Sequence, residues 1–372
     1  MKSRITCLFM ILFLAASAAA QDNMQNFNYL LKDTALLNQV KKGNYPYAAI
    51  EIGAKAPYST IQRTGYPIKI AIDPGHVAST KKEAIMEERY INSEDGFFFE
   101  SELTMATALL LKPKLEARGF EVMITRPDNM TALGQTYTQW YKKSRKQALC
   151  EDLERGAITR EQYEELITAK PKALFERYFR DKDFIARSHK INAFDPDITL
   201  VIHYNASEFK NSPKTYTPSV DHNYSVAFVP GGFTNNEILA QSQTEDFIRL
   251  ASTDLVPRSI MLSAFIIEEL NNKLNAPSLL PDTDPDLWYL KKYSVYTQKP
   301  GVFSRNLYMT RAIKSPICYA ECLLQNNRNE VQALVKRDLK VGSLKVSSRT
   351  EQVADACYAG IIKYFIQTGA IR

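Results

Sequence analysis

Ile68-Lys69-Ile70-Ala71-Ile72-Asp73-Pro74-Gly75-His76 is a short apolar run halted by Asp-Pro-Gly and followed at once by an imidazole. An apolar stretch of that length, bounded by turn residues, reads as a buried strand. The same texture returns at Phe120–Thr125, Ile198–His203, Tyr224–Val229 and Pro316–Glu321. Helical patterns lie between these runs: 101–118, ending at Gly119, then a charged block over about 135–183, 184–194, stretches within 235–274, and Gln352–Ile366. Pro113 predicts a kink or a break in the first of them. Nearly all-apolar strands alternating with helices make an α/β fold, a mixed, mostly parallel sheet covered by helices on both faces. In such sheets the ligand site lies outside the carboxyl ends of the strands.

The chain has 372 residues, 45% of them hydrophobic and 24% charged, enough for one large domain or two small ones and too apolar for disorder. A net charge of +6 spread along the sequence is far from the clustered basic face of a nucleic-acid binder. Residues 1–20 read as a signal peptide: Lys2 and Arg4, the largely apolar Ile5–Ala16, then Ser17-Ala18-Ala19-Ala20. The expectation is an exported protein, periplasmic or secreted. No transmembrane segment is expected after cleavage, because no later run reaches about 18 apolar residues. Residues 21–65 form an extension and linker with one amphipathic stretch, Phe27–Val40, ahead of a catalytic domain at 66–372. The remaining Cys150, Cys318, Cys322 and Cys357 are too few for a disulfide scaffold. On one strand Cys318 and Cys322 would sit about 13 Å apart, so buried free thiols are expected.

The strand ends carry chemistry. The first strand runs into His76, the third into His203-Tyr204-Asn205, the last ends at Glu321, and Glu100 opens the helix after the first strand's long loop. Two imidazoles and a carboxylate give Zn²⁺ three ligands and leave the fourth position for water, and a second carboxylate can move that water's proton. Taken singly, each residue has an ordinary structural role. A histidine at a strand end is commonly a hydrogen-bonded surface group. Glu100 suits the first turn of a helix. Glu321, however, follows the apolar Ile317–Ala320, where an unpaired carboxylate costs several kcal/mol. Four such residues on one sheet edge favour the metal reading, with amide hydrolysis as its product.

These residues also mark a resemblance. Ile70–His76, Glu100 heading Ser-Glu-Leu-Thr-Met-Ala, Gly119–Arg126, Arg187, Asn192, Asp197–Ala206 and Pro316–Glu321 with Asn326-Asn327 are similar, in order and spacing over about 66–370, to zinc-dependent N-acetylmuramoyl-L-alanine amidases of cell-wall turnover. The resemblance implies an α/β fold with a mixed, mostly parallel sheet of about six strands. It implies one Zn²⁺ per chain held by His76, Glu100 and His203, with Glu321 as catalytic carboxylate and Asn205 positioning substrate. The implied reaction cleaves the amide between N-acetylmuramic acid and the L-alanine of the peptidoglycan stem peptide. The chain departs from the family where Val77-Ala78 replace glycines and where the loop Ser79–Phe99 is unfamiliar, which keeps Glu87, Glu88 and Glu102 open as rivals to Glu100. Two insertions, about 130–183 and 275–300, exceed what the catalytic fold needs. One of them is expected to restrain activity, as a lid or as a docking element for an activator protein. The alternatives are an exported zinc carboxypeptidase, with Arg126, Arg187 and Arg305 as candidates for a carboxylate pocket, and a catalytically silent wall-binding protein.

Overall fold

The opening apolar run becomes β1 (Lys69–Pro74), buried along nearly all its length. The computed structural model describes residues 48–49 and 67–372, apart from 128–129, 208–211, 213, 235–236, 238–242, 244–245, 248, 251–252, 282–289 and 291–292. The leader at 1–20, nearly all of the extension at 21–65 with its amphipathic stretch, and part of the insertion at 275–300 lie outside the described residues. The unfamiliar segment after β1 is not a loop. It forms α1 (Lys81–Glu87), capped by Thr80, and a hairpin, β2 (Tyr90–Ser93) with β3 (Gly96–Phe99). From the hairpin the chain enters α2 (Glu100–Glu116), which passes through Pro113 without a break. Leu111 and Leu115, on either side of the proline, are both fully buried, and that packing outweighs the one hydrogen bond the proline removes.

After β4 (Glu121–Ile124) comes the charged block: α3 (Tyr137–Lys143), α4 (Arg145–Glu154), α5 (Arg160–Thr168), α6 (Pro171–Leu174) and a π-helical turn leading into α7 (Arg180–Phe194). Thr136 and Thr159 close capping boxes with Gln139 and Gln162, so α3 and α5 start where the sequence supplies their missing acceptors. This insertion has its own aromatic core, Tyr137, Trp140, Phe175, Tyr178 and Phe179 with Leu149, Leu166 and Leu174. From outside the insertion, Val77 is buried in that core and Met86 packs against it.

The chain continues through β5 (Ile198–Asn205), β6 (Val226–Val229), α8 (Leu255–Leu274), β7 (Val295–Lys299), β8 (Val302–Ser304), α9 (Tyr308–Ala312), β9 (Ile317–Leu324), α10 (Arg328–Leu334), a small hairpin and α11 (Ser348–Gln367). The main sheet among the described residues has seven strands rather than about six, in the order β4-β1-β5-β9-β6-β8-β7. The pairings β9–β6 and β8–β7 are antiparallel and the others parallel. The additional strands are the β7–β8 pair, of which β7 is partly exposed and β8 buried.

Alternation along the strands separates two cores. Ile70, Ile72, Leu200, Ile202, Cys318, Ala320 and Cys322 face α2, α8 and α11. Ala71, Val201 and Ile317 face α7 and α9 on the other side, beside a third cluster around Phe228 and Phe303. Each fully buried aliphatic side chain in these layers stabilises the fold by about 1.5–3 kcal/mol. Cys150, Cys318, Cys322 and Cys357 are all free thiols, and burial pushes Cys318 up to about 12. β9 runs beyond Glu321 to Leu324, with a register shift after Glu321. That glutamate therefore sits inside the strand, paired with His203 on β5, instead of ending it.

Candidate metal centre

The turn after β1 is held by buried charge. The guanidinium of Arg187 on α7 donates to Asp183, to Asp73 and to the carbonyls of Pro74 (2.7 Å) and His76 (2.9 Å). Arg126, also buried, donates to the carbonyls of Pro74 and Gly75. Thr104 on α2 donates to Gly75 O at 2.7 Å, and Gly75 N donates to Ile202 O on β5 at 2.9 Å. These contacts hold His76 in the left-handed region at φ 56, a conformation that costs about 1–3 kcal/mol and persists only when its surroundings fix it. Arg126 and Arg187 are thus consumed in shaping the turn and do not form a cationic pocket. Arg305, half-buried, lies with its guanidinium 5.1 Å from the Phe228 ring centre, near enough for its charge to act on Glu321.

Three residues distant in sequence meet beyond that turn. His76 Nε2 lies 3.0 Å from Glu100 Oε2, and His203 Nδ1 lies 2.9 Å from Glu100 Oε1. Donor atoms of His76, Glu100 and His203 all fall within 4.8 Å of one another. Ligands bonded at about 2.0–2.1 Å to a tetrahedral ion stand roughly 3.3 Å apart, so this set can hold one small cation. Glu100 reaches the site from the first turn of α2 and also accepts from Tyr204 N. The His203 ring is fixed on one side by Tyr319, stacked at 4.6 Å with an interplanar angle of 10°. On another side it meets Gly75, where a Cβ would come within 2.3 Å of the ring.

The rivals of Glu100 are placed elsewhere. Glu87, at the end of α1, lies 3.0 Å from His76 Nδ1, on the far side of that ring from Glu100, and accepts from Val77 N and Ala78 N. Glu88 pairs with Lys172, and Glu102 pairs with Arg337 on the surface. Glu321, level with His203 on the neighbouring strand, has a buried Oε2 without a hydrogen-bond partner among the described residues. Asn205 closes β5, half-buried, with Oδ1 accepting from Ala206 N at 2.8 Å.

Burial and mutual charge set the protonation of the group. Burial alone would lower His76, but Glu100 and Glu87 raise it to about 9. Burial is the main cause that lowers His203, and the His76 charge adds to it. Burial would raise Glu100, yet the two imidazoles hold it well below the usual carboxylate range. Glu321 is pushed up to about 8, first by burial and then by the charge of Glu100. The two carboxylates are driven in opposite directions, so that Glu100 stays ionised, as a ligand must be, while Glu321 can hold a proton near neutral pH.

A family model described as N-acetylmuramoyl-L-alanine amidase matches residues 70–363. The chain belongs to that family. This amidase also resembles solved structures at low identity. The CwlD amidase of Clostridioides difficile, solved with the GerS lipoprotein, is 18% identical with a TM-score of 0.44, over 81% of this chain and 99% of that one. Ami1 of Mycobacterium smegmatis is 14% identical with a TM-score of 0.41, over 81% and 97%. AmiC2 of Nostoc punctiforme is 14% identical with a TM-score of 0.38, over 81% and 97%. No curated protein matches the chain. Among the described residues of the amidase, no helix is long and apolar enough to cross a membrane.

Sequence reading brought forward all the members of the cluster and missed their supports. Tyr319 was findable, since it lies two residues before Glu321 and so on the same face of the strand. Gln325, which donates to Tyr204 O and reaches Glu100 Oε2 at 3.4 Å, gave no local signal.

Proposed function

We propose that the chain is an exported, zinc-dependent N-acetylmuramoyl-L-alanine amidase that acts in cell-wall turnover. Its substrate is the amide joining the lactyl group of N-acetylmuramic acid to L-alanine in the peptidoglycan stem peptide. The observation that carries this reading is a two-imidazole, one-carboxylate donor set with a second, half-buried carboxylate, Glu321, whose buried Oε2 has no hydrogen-bond partner among the described residues. His76, Glu100 and His203 would hold the ion, and two nitrogens with one oxygen suit Zn²⁺. Bound there, zinc supplies Lewis acidity, lowering the pKa of a water from about 15.7 to about 7 and polarising the scissile carbonyl.

The protein's own groups do the rest. Glu321, in its ionised form, takes the proton from the attacking water and returns one to the departing alanine nitrogen. Asn205, at the mouth of β5, orients the substrate. The signal-like leader supports export. A carboxypeptidase would need an accessible cation for the terminal carboxylate; burial removes Arg126 and Arg187 from that role and leaves Arg305 as its one candidate of the three. The deciding experiment measures bound metal and the release of stem peptides from purified wall by mass spectrometry, for the unaltered chain and for Glu321→Ala. The unaltered chain is expected to carry one zinc and release stem peptide, the variant to keep zinc and release none. A fully active variant, or an unaltered chain that leaves muropeptides intact, would refute the reading.

A further inference from the structure

α1 is only seven residues long, too short to persist without tertiary support. The helical insertion supplies that support at three points. At the first turn of α3, Thr138 N and Oγ1 both donate to Glu83 Oε1, at 2.8 and 2.5 Å. The other oxygen of this buried carboxylate accepts from Ser79 N and Oγ, so Glu83 joins the start of α1 to the insertion. At the other end of α1, Lys172 of α6 pairs with Glu88. Between these, Val77 enters the insertion's aromatic core and Met86 packs against it. Glu87, from the last turn of the helix so held, lies 3.0 Å from His76 Nδ1.

We propose that the insertion is a splint for the metal centre, and that through α1 it makes Glu87 the positioning residue of His76. In the neutral ring that a ligand must be, a carboxylate at Nδ1 fixes the ring's rotation and keeps the proton on Nδ1, so that Nε2 is the nitrogen free for the ion. Glu87 also accepts from Val77 N and Ala78 N, so the chain just after the histidine and the orienting carboxylate form one unit. The insertion gives Val77 its place: the side chain fills the aromatic core where a glycine would leave a void. The insertion thus contributes to the centre's affinity for metal, a role different from covering it.

This inference rests on the reading of His76 as a metal ligand, and the test separates the two. Zinc affinity is measured by competition with a chromophoric chelator on the full chain, together with the tautomer of His76 by imidazole nitrogen NMR on the metal-free chain above about pH 10, where the ring is neutral. Glu87→Ala is expected to weaken zinc by about 10- to 100-fold and to mix the His76 tautomers. Glu87→Gln, which is isosteric and keeps an acceptor, should recover part of the loss. Val77→Ala combined with Thr138→Val leaves the Glu87 carboxylate in place and should shift affinity the same way by a smaller factor. Zinc affinity within twofold of the unaltered chain in both Glu87 variants would overturn the positioning role. An unshifted Val77/Thr138 double variant would overturn the splint. Zinc retained at full affinity by His203→Ala, or no zinc bound by the unaltered chain, would overturn the metal reading and this inference with it.

Discussion

Glu321 on β9 and His203 on β5 occupy matched positions on adjacent parallel strands, so the candidate acid/base and a candidate ligand are neighbours through sheet register alone. Neither depends on a mobile loop for its place. Replacing Glu321 by Gln keeps the shape of the side chain and removes the proton carrier. Turnover of peptidoglycan fragments is expected to fall by about 10²–10⁴-fold, with bound zinc unchanged. Release assays run beside metal analysis check both halves, and loss of zinc would move Glu321 into the ligand set.

Metal uptake should depend steeply on pH. His76 is raised to about 9 in the metal-free protein, so it carries a proton at pH 7 that an incoming ion must displace. Glu321, raised to about 8, is also protonated at pH 7, and a nearby dication favours its ionised form. His203 is lowered and contributes no proton. Both raised groups therefore act in one direction: affinity climbs as pH rises toward about 9 and falls as pH drops, by about tenfold per unit for each proton released. Calorimetry in buffers of different ionisation enthalpy should count one to two protons released per ion at pH 7.

Gly75→Ala tests the packing of the ligand ring. A Cβ there would lie 2.3 Å from His203 Cε1, and Tyr319, stacked on that ring, leaves it little room to retreat. The imidazole must tilt, and ligand geometry is intolerant of tilt. Zinc affinity is expected to fall by at least about tenfold, while the thermal unfolding of the sheet shifts little. An unchanged affinity would mean that the ring is free to move.

Arg187→Met tests the charge beneath the turn. It would strand Asp73 and Asp183, both buried, without their cation, at a cost of about 3–5 kcal/mol. Urea unfolding should show the loss as a lower midpoint. Arg187→Lys should not restore it, because one ammonium cannot reach the two carboxylates and the two carbonyls that the guanidinium fork serves together.

The strands and the residues at their ends were legible in the sequence because the causes are local. Burial on both faces imposes an apolar run, and Asp73-Pro74-Gly75 stops it wherever the strand lies. The unbroken helix through Pro113 and the edge pair β7–β8 are not legible in the sequence, since packing of Leu111 and Leu115 in one case and pairing with a neighbouring strand in the other decided the outcome. Which carboxylate joins the two imidazoles was beyond local pattern. Glu87 and Glu100 both approach His76, from the end of one helix and the start of the next, and take opposite nitrogens of its ring. The amino-acid order determined that two histidines and several acids would reach one sheet edge. The packing of α1 against the insertion and of α2 against β5 decided which acid meets both rings, because side-chain direction over such separations is set by contacts remote in sequence.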